Sequence, residues 1–246
     1  EARSFPDFEA FEYTVRFRNE SRSSVPALGP IHALDLSFGE DVLHGLSLVS
    51  SGGGAADAVF PPKDFALART FFAPMVPLNA EFWLTAEEGN SSRINLPFFF
   101  VENQDKSAGI YVGIGWTGNW RASIQADYKR NNLRLQGGMP EINLRLEPGE
   151  EISSPTILVG AYRGPLSAGS NRLRRLIRDR YAPTIGGHIV EPPVLYTTWF
   201  DVGAELDEGL FKTLADHAAD IGQEIFLLDA GWYKGTATKP YTDMGA

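Results

Sequence analysis

The stretch Ile225-Phe226-Leu227-Leu228-Asp229-Ala230-Gly231-Trp232-Tyr233 decides the fold at its end of the chain. Four apolar residues without alternation suit a strand buried on both faces, and the run turns polar and aromatic where the strand must end. Upstream, Val194-Leu195-Tyr196-Thr197-Thr198-Trp199 has the same β-prone character. Between the two runs Leu210, Phe211, Leu214, Ala218 and Ile221 follow helical spacing; Asp207 is placed to cap the helix start and Gly222 to end it. The pattern predicts a βαβ unit, two parallel strands joined by a helical crossover. Folds of this class place ligands at the carboxyl ends of their strands, where Trp199, Asp229 and Trp232 fall.

Moving towards the amino terminus, residues 184–193 hold glycines and prolines and read as a linker. Before it, Leu173, Leu176, Ile177 and Tyr181 share one face of a predicted helix that stops ahead of Pro183. The arginines crowding this segment, Arg172, Arg174, Arg175, Arg178 and Arg180, read as a solvated helix face. From Phe8 to about Tyr162 the chain is a series of short alternating runs: Tyr13, Val15 and Phe17; Leu34, Leu36 and Phe38; Ile110, Val112 and Ile114; Ile142, Leu144 and Leu146, the last ending at the Pro148-Gly149 turn. Such runs predict an antiparallel β-sandwich. The stretch from Ser50 to Ala56 lacks periodicity and bulk, and reads as a flexible surface loop. The expected organisation is therefore a β domain over 1–183 with its closing helix, a linker over 184–193 and an α/β segment over 194–246.

Composition narrows the function. The chain has 246 residues, 43% hydrophobic and 22% charged, and its 25 glycines and 16 prolines exceed the usual share and favour many turns. A formal charge of -9 repels phosphate backbones and anionic lipid surfaces, so neither nucleic acid nor a membrane is an expected partner. With no cysteine there are no disulfides, thiolate nucleophiles or cysteine-held metals. The compartment stays open between the cytoplasm and export with a signal peptide removed. Gly113-Ile114-Gly115-Trp116-Thr117-Gly118 has the spacing of a dinucleotide fingerprint, but no helical pattern follows and Gln136 stands near the ribose-reading position. His32, His44, His188 and His217 lack metal-ligand spacing, so no metal and no cofactor is expected. Asn19-Glu20-Ser21 and Asn90-Ser91-Ser92 match glycosylation sequons, a pattern short enough to arise by chance.

Several segments together resemble the melibiase-type α-galactosidases, glycoside hydrolase family 36 of clan D. Ser91-Ser92 followed by Leu96-Pro97-Phe98-Phe99, Gly115-Trp116-Thr117-Gly118-Asn119-Trp120, and Leu146-Glu147-Pro148-Gly149-Glu150 with Pro155 are similar to signatures of that family's sandwich domain. Pro193-Val194-Leu195-Tyr196 with Trp199 looks like its first barrel strand, and Leu228-Asp229-Ala230-Gly231-Trp232-Tyr233 resembles the LDDGWF motif ending its second. The resemblance implies a multidomain protein, an antiparallel β-supersandwich followed by the start of a catalytic (β/α)8 barrel. It also implies hydrolysis of terminal α-galactosides with retention, and a homo-oligomer.

By resemblance, the first aspartate of the motif binds hydroxyls of the sugar. Asp229 keeps that role, with Trp232 and Trp199 as further sugar contacts; Trp116 and Trp120 read first as structural residues of the sandwich and, as the alternative, as subsite lining. A carboxylate accepts two charge-assisted hydrogen bonds from neighbouring hydroxyls, and an indole offers an apolar ring to the sugar's C-H face. Ala230 stands where the family has its second aspartate, which puts strict galactose specificity in doubt. A (β/α)8 barrel needs about 250 residues, whereas 194–246 has room for two strands and a helix. The family's nucleophile, at the end of strand four, and its acid/base, near strand six, are expected beyond Ala246. The 246-residue chain alone is expected to be inactive. Two other readings stand beside this one: a noncatalytic carbohydrate-binding or scaffold protein, and a galactosyltransferase related to the raffinose and stachyose synthases.

Overall fold

Among the described residues, alternation along the first two-thirds of the chain resolves into thirteen strands. A computed structural model describes residues 1–26, 28–38, 46–53, 67–72, 81–127 and 132–232. The strands are β1 (Ala2–Phe5), β2 (Ala10–Tyr13), β3 (Arg16–Arg18), β4 (Ile31–Phe38), β5 (Leu46–Gly52), β6 (Leu67–Phe72) and β7 (Glu81–Thr85). They continue with β8 (Asn95–Glu102), β9 (Ala108–Gly115), β10 (Arg121–Asp127), β11 (Asn132–Met139), β12 (Glu151–Ser153) and β13 (Thr156–Arg163). Helix α1 (Leu166–Arg180) follows. Seven strands form one antiparallel sheet in the order β1-β2-β13-β9-β8-β5-β6, four form a second in the order β4-β11-β10-β7, and β3 pairs with β12 alone.

The inner faces of the two large sheets share one core. Phe99, Val101, Val112, Ile114 and Ile157 of the seven-stranded sheet are buried with Leu34, Leu84, Ile124, Leu133 and Leu135 of the four-stranded sheet. The opposite face of the larger sheet is buried as well, because α1 lays Leu173 and Leu176 on Phe100, Tyr111, Leu158 and Tyr162. Burial on both faces explains the unbroken Phe98-Phe99-Phe100 run, in which Phe99 points into the sandwich and its neighbours point towards the helix side. Gly169 lets α1 come this close: a Cβ there would meet the Tyr162 ring at 2.7 Å. Arg172 pairs with Glu9 at 2.9 Å and Arg180 with Asp7 at 3.4 Å, so two of the arginines read as solvated fasten the helix to the 3-10 turn at Pro6–Phe8.

Two expectations need correcting. The Ile142, Leu144 and Leu146 run is not a regular strand: Leu144 makes one isolated bridge with Leu28 and is exposed, while Ile142 and Leu146 are buried. Nor is the stretch from Ser50 a loop throughout. Ser50 and Ser51 are buried in β5, and the Gly53 N–H donates to the Ile94 carbonyl at 2.9 Å. A Cβ on Gly53 would collide with the Ser92 backbone, so the small residues mark a close backbone approach. The remainder of that stretch, 54–56, lies outside the described residues.

The chain divides into two compact units, Glu1–Tyr181 and Ala182–Ala246. Within the second, residues 184–193 carry a small hairpin of β14 (Thr184–Ile185) and β15 (His188–Ile189). Gly186 and Gly187, with φ of 60° and 82°, supply the two left-handed positions that such a tight turn needs. Then come β16 (Leu195–Thr197), the short helix α2 (Trp199–Val202), α3 (Glu208–Asp220) and β17 (Ile225–Leu227). β16 and β17 are parallel neighbours with α3 between them in sequence, which is the βαβ unit. Asp207 caps α3 by accepting the Leu210 N–H at 2.9 Å, and Gly222 follows the helix at φ 81°.

Candidate functional site

The parallel pair is fastened at its carboxyl end by a side chain. Backbone pairing continues one residue past β16, where the Thr198 N–H donates to the Leu227 carbonyl at 3.2 Å. The Thr198 hydroxyl, in a residue with no exposed surface, then accepts the backbone N–H of Asp229 at 3.2 Å. Two strand ends are thereby held in register beyond their ladder. The side chain of Asp229 turns back locally, one carboxylate oxygen accepting the Ala230 N–H at 2.7 Å, and the residue is exposed.

Gly231 shapes the remainder of the turn. Its φ is 102°, and a Cβ would stand 2.9 Å from the Ala204 carbonyl oxygen, so only glycine passes here without strain. The turn thus runs against the loop that leaves α2. Trp232 follows at 66% exposure, and Trp199, at the first position of α2, is half-buried. Asp229 and Trp199 accordingly belong to the same end of the strand pair, and Trp232 opens from the turn that Asp229 begins. Tyr233, the last residue of the LDAGWY stretch, lies outside the described residues.

Below this end, one face of the pair is packed and the other is open. The Tyr196 and Phe226 rings stack at 5.0 Å, and Phe211 of α3 meets Phe226 edge-on at 5.1 Å. Leu195, Ile225 and Leu227 point the other way and are each more than 40% exposed. Tyr196 also donates its hydroxyl to Asp201 of α2 at 2.6 Å. Its pKa is pushed up to about 12, first by that hydrogen bond and then by desolvation and the carboxylate's charge. The pair fixes α2, and with it Trp199, against the strand that precedes it.

The sandwich tryptophans lie in the other unit. Trp120 is wholly buried in the sandwich core and donates its indole N–H to the Ser91 carbonyl at 2.7 Å. It is a core residue and not a subsite lining, because no face of its ring is open to a ligand. Trp116 is half-buried against the same core beside Gly118, where a Cβ would stand 3.0 Å from the indole nitrogen. Gly118 therefore makes room for the Trp116 ring, whereas Gly115 lies against Thr156. Asn19, the first sequon asparagine, is buried and donates to the Ser23 and Leu146 carbonyls, so its amide is occupied inside the fold.

Thr198 is the residue that the sequence left unremarked. Its signal was a polar side chain at the end of an apolar strand directly before an aromatic. A groove of about 940 Å³ lies elsewhere, over the larger sheet near Arg3, Glu12 and Tyr181. Its polar groups are engaged with one another: Glu12 pairs with Arg3 at 3.0 Å and accepts the Tyr181 hydroxyl. Among the described residues no cluster of three His, Asp or Glu side chains is arranged to hold a metal, and no helix is long and apolar enough to cross a membrane.

No family model matches the chain. Its sequence is 26% identical over 242 residues to α-galactosidase C of Emericella nidulans, covering 93% of this chain and 29% of that protein. The galactosidase domain of the α-galactosidase-sucrose kinase AgaSK has the same fold, with a TM-score of 0.76 at 20% identity over 92% of this chain and 30% of that one. The family 36 α-galactosidase AgaA of Geobacillus stearothermophilus aligns with a TM-score of 0.73 at 21% identity, again over 92% of this chain and 30% of that one. Variants of AgaA have been crystallised with raffinose and with stachyose. The chain thus spans about three-tenths of the length of the proteins it matches.

Proposed function

We propose that the chain is the amino-terminal portion of a family 36 glycoside hydrolase, and that the protein carrying it is a retaining α-galactosidase acting on terminal α-galactosides of oligosaccharides; the likeness to α-galactosidases over more than nine-tenths of the chain supports this. In this reading 1–183 is the sandwich domain, 184–193 connects it onward, and β16, α3 and β17 are the first βαβ unit of a (β/α)8 barrel. The observation that carries the reading is the Thr198 to Asp229 hydrogen bond, which holds a carboxylate and an aromatic together at the carboxyl end of parallel strands. Catalytic residues of such barrels occupy that end.

Each residue then has a defined task. Asp229 accepts hydrogen bonds from adjacent sugar hydroxyls, and as an anion it makes them stronger than a neutral acceptor would. Trp232 and Trp199 supply apolar surface for the C-H face of the ring. Retention requires a nucleophilic carboxylate and an acid/base carboxyl about 5 to 5.5 Å apart across the glycosidic bond; both are assigned to later strands of the barrel. Ala230 offers the sugar no polar side-chain atom, so one contact of the family's pattern is lost or supplied from elsewhere. Oligosaccharides such as raffinose and stachyose fit this reading as substrates, since one variant of AgaA was crystallised with raffinose and another with stachyose.

The test is Asp229→Ala in the full-length protein, assayed on melibiose and raffinose. Catalytic efficiency is expected to fall by at least about tenfold, the signature of a lost transition-state contact. A folded variant with unchanged efficiency would overturn the assignment.

A further inference from the structure

Among the described residues, the outward face of the four-stranded sheet carries one exposed aromatic among polar side chains. Leu84, Ala122, Ile124, Leu133, Leu135 and Leu34 of its strands point into the core, so their neighbours along each strand point outward. Register places four of these in a row across β7, β10, β11 and β4: Trp83 opposite Ser123, Ser123 opposite Gln136, and Gln136 opposite Asp35. The row spans three interstrand spacings, about 14 Å at about 4.8 Å each. Trp83 is 46% exposed, and Arg121 holds its guanidinium 5.2 Å from the ring centroid. At the far end Arg134 grips Asp35 with two hydrogen bonds of 2.9 and 2.6 Å, and Gln136 reaches the same carboxylate at 3.4 Å.

We infer that this face is a second, noncatalytic binding surface for a neutral oligosaccharide, with Trp83 as the platform for one pyranose ring and Gln136, Gln125 and Arg121 as hydroxyl partners. An indole offers the apolar surface that a sugar's C-H face needs, and fixed amide and guanidinium groups supply donors and acceptors at the ring's edge. Arg134 is paired with Asp35 and Arg121 with Glu141 at 3.7 Å, which favours a neutral ligand over an anion. A protein partner fits less well, because interface cores are depleted of charge, and the described positions around Trp83 on this face hold no aliphatic side chain. The assignment does not depend on the role of Asp229. A surface of this kind would raise the local concentration of substrate chains at an attached active site.

Calorimetric titration of the 246-residue chain with stachyose and with a soluble galactomannan tests the inference. Binding with a dissociation constant in the range of about 1 mM or tighter is expected. Trp83→Ala should weaken it at least about tenfold and Gln136→Ala about fivefold, with circular dichroism confirming that each variant is folded. Binding that survives both sheet-face substitutions but disappears in Asp229→Ala would place the sugar only at the strand ends. No heat with either sugar, or light scattering that shows Trp83→Ala converting an oligomer to a monomer, would equally overturn the inference; the last result would make the face a contact between copies.

Discussion

The hydroxyl of Thr198 accepts the backbone N–H of Asp229 across 31 residues of sequence, and it is the last bond joining the two parallel strands. It converts two strand ends into one platform. Thr198→Val keeps the shape and removes the acceptor, leaving the Asp229 N–H without that partner. Stability is expected to fall by about 1 kcal/mol, and KM for an α-galactoside to rise in the full-length protein. Urea unfolding together with steady-state kinetics checks both, and an unchanged KM would mean that the bond does not position Asp229 for substrate.

Trp120 should behave as a core residue. Trp120→Phe leaves a void and removes the donor from the Ser91 carbonyl, with an expected loss of about 1 to 3 kcal/mol. Sugar affinity of the folded fraction should be unaltered. A variant of native stability with reduced sugar binding would return Trp120 to the list of subsite residues.

Gly169→Ala sets helix propensity against packing. Alanine favours an isolated helix by about 1 kcal/mol, but here its Cβ meets the Tyr162 ring at 2.7 Å. Overpacking of this kind costs about 1 to 3 kcal/mol, so the substitution is expected to be net destabilising in chemical denaturation. A rise in stability would show that α1 has room to shift outward.

Tyr196 should titrate late. Its hydroxyl donates to Asp201, and its pKa is pushed up to about 12. Because the folded state holds this proton more tightly than the unfolded chain, the stabilisation is complete below the ordinary tyrosine pKa of about 10. It is then lost as pH rises through the folded value. Asp201→Asn removes the charged acceptor and should bring one tyrosine of the tyrosinate absorbance titration back towards its usual range. An identical titration curve in the variant would contradict the assignment.

The outline of the fold was legible because alternation reports which face of a strand is buried. Ile110, Val112 and Ile114 of β9 and Leu34 of β4 behave as that rule expects, and the cap residues Asp207 and Gly222 bracket α3. Alternation does not report whether a partner strand lies alongside. Ile142 and Leu146 are buried and Leu144 is exposed because the segment wraps a core edge with one bridge instead of joining a ladder. Small residues are ambiguous in a similar way, since Gly53 marks a tight backbone crossing and not a loose loop. At the strand ends, motif spacing picked out Asp229, Trp199 and Trp232 as candidates, whereas the Thr198 contact forms only when the two strand ends meet. Trp120 is core, as the first of its two readings has it; the second stayed open because a tryptophan in a turn motif serves a core or a ligand with the same letters.

The position of β13 governs the order in which the sandwich can be assembled. In space β13 sits between β2 and β9, although in sequence it comes more than 140 residues after β2 and follows twelve strands among the described residues. During synthesis the β1–β2 hairpin therefore emerges well before β13 and waits, with its second edge unpaired, until Thr156–Arg163 has left the ribosome. Pairings this distant along the chain make folding slow and leave strand edges open to wrong partners meanwhile. A nascent chain ending before Thr156 has both halves of the larger sheet in hand and nothing to join them.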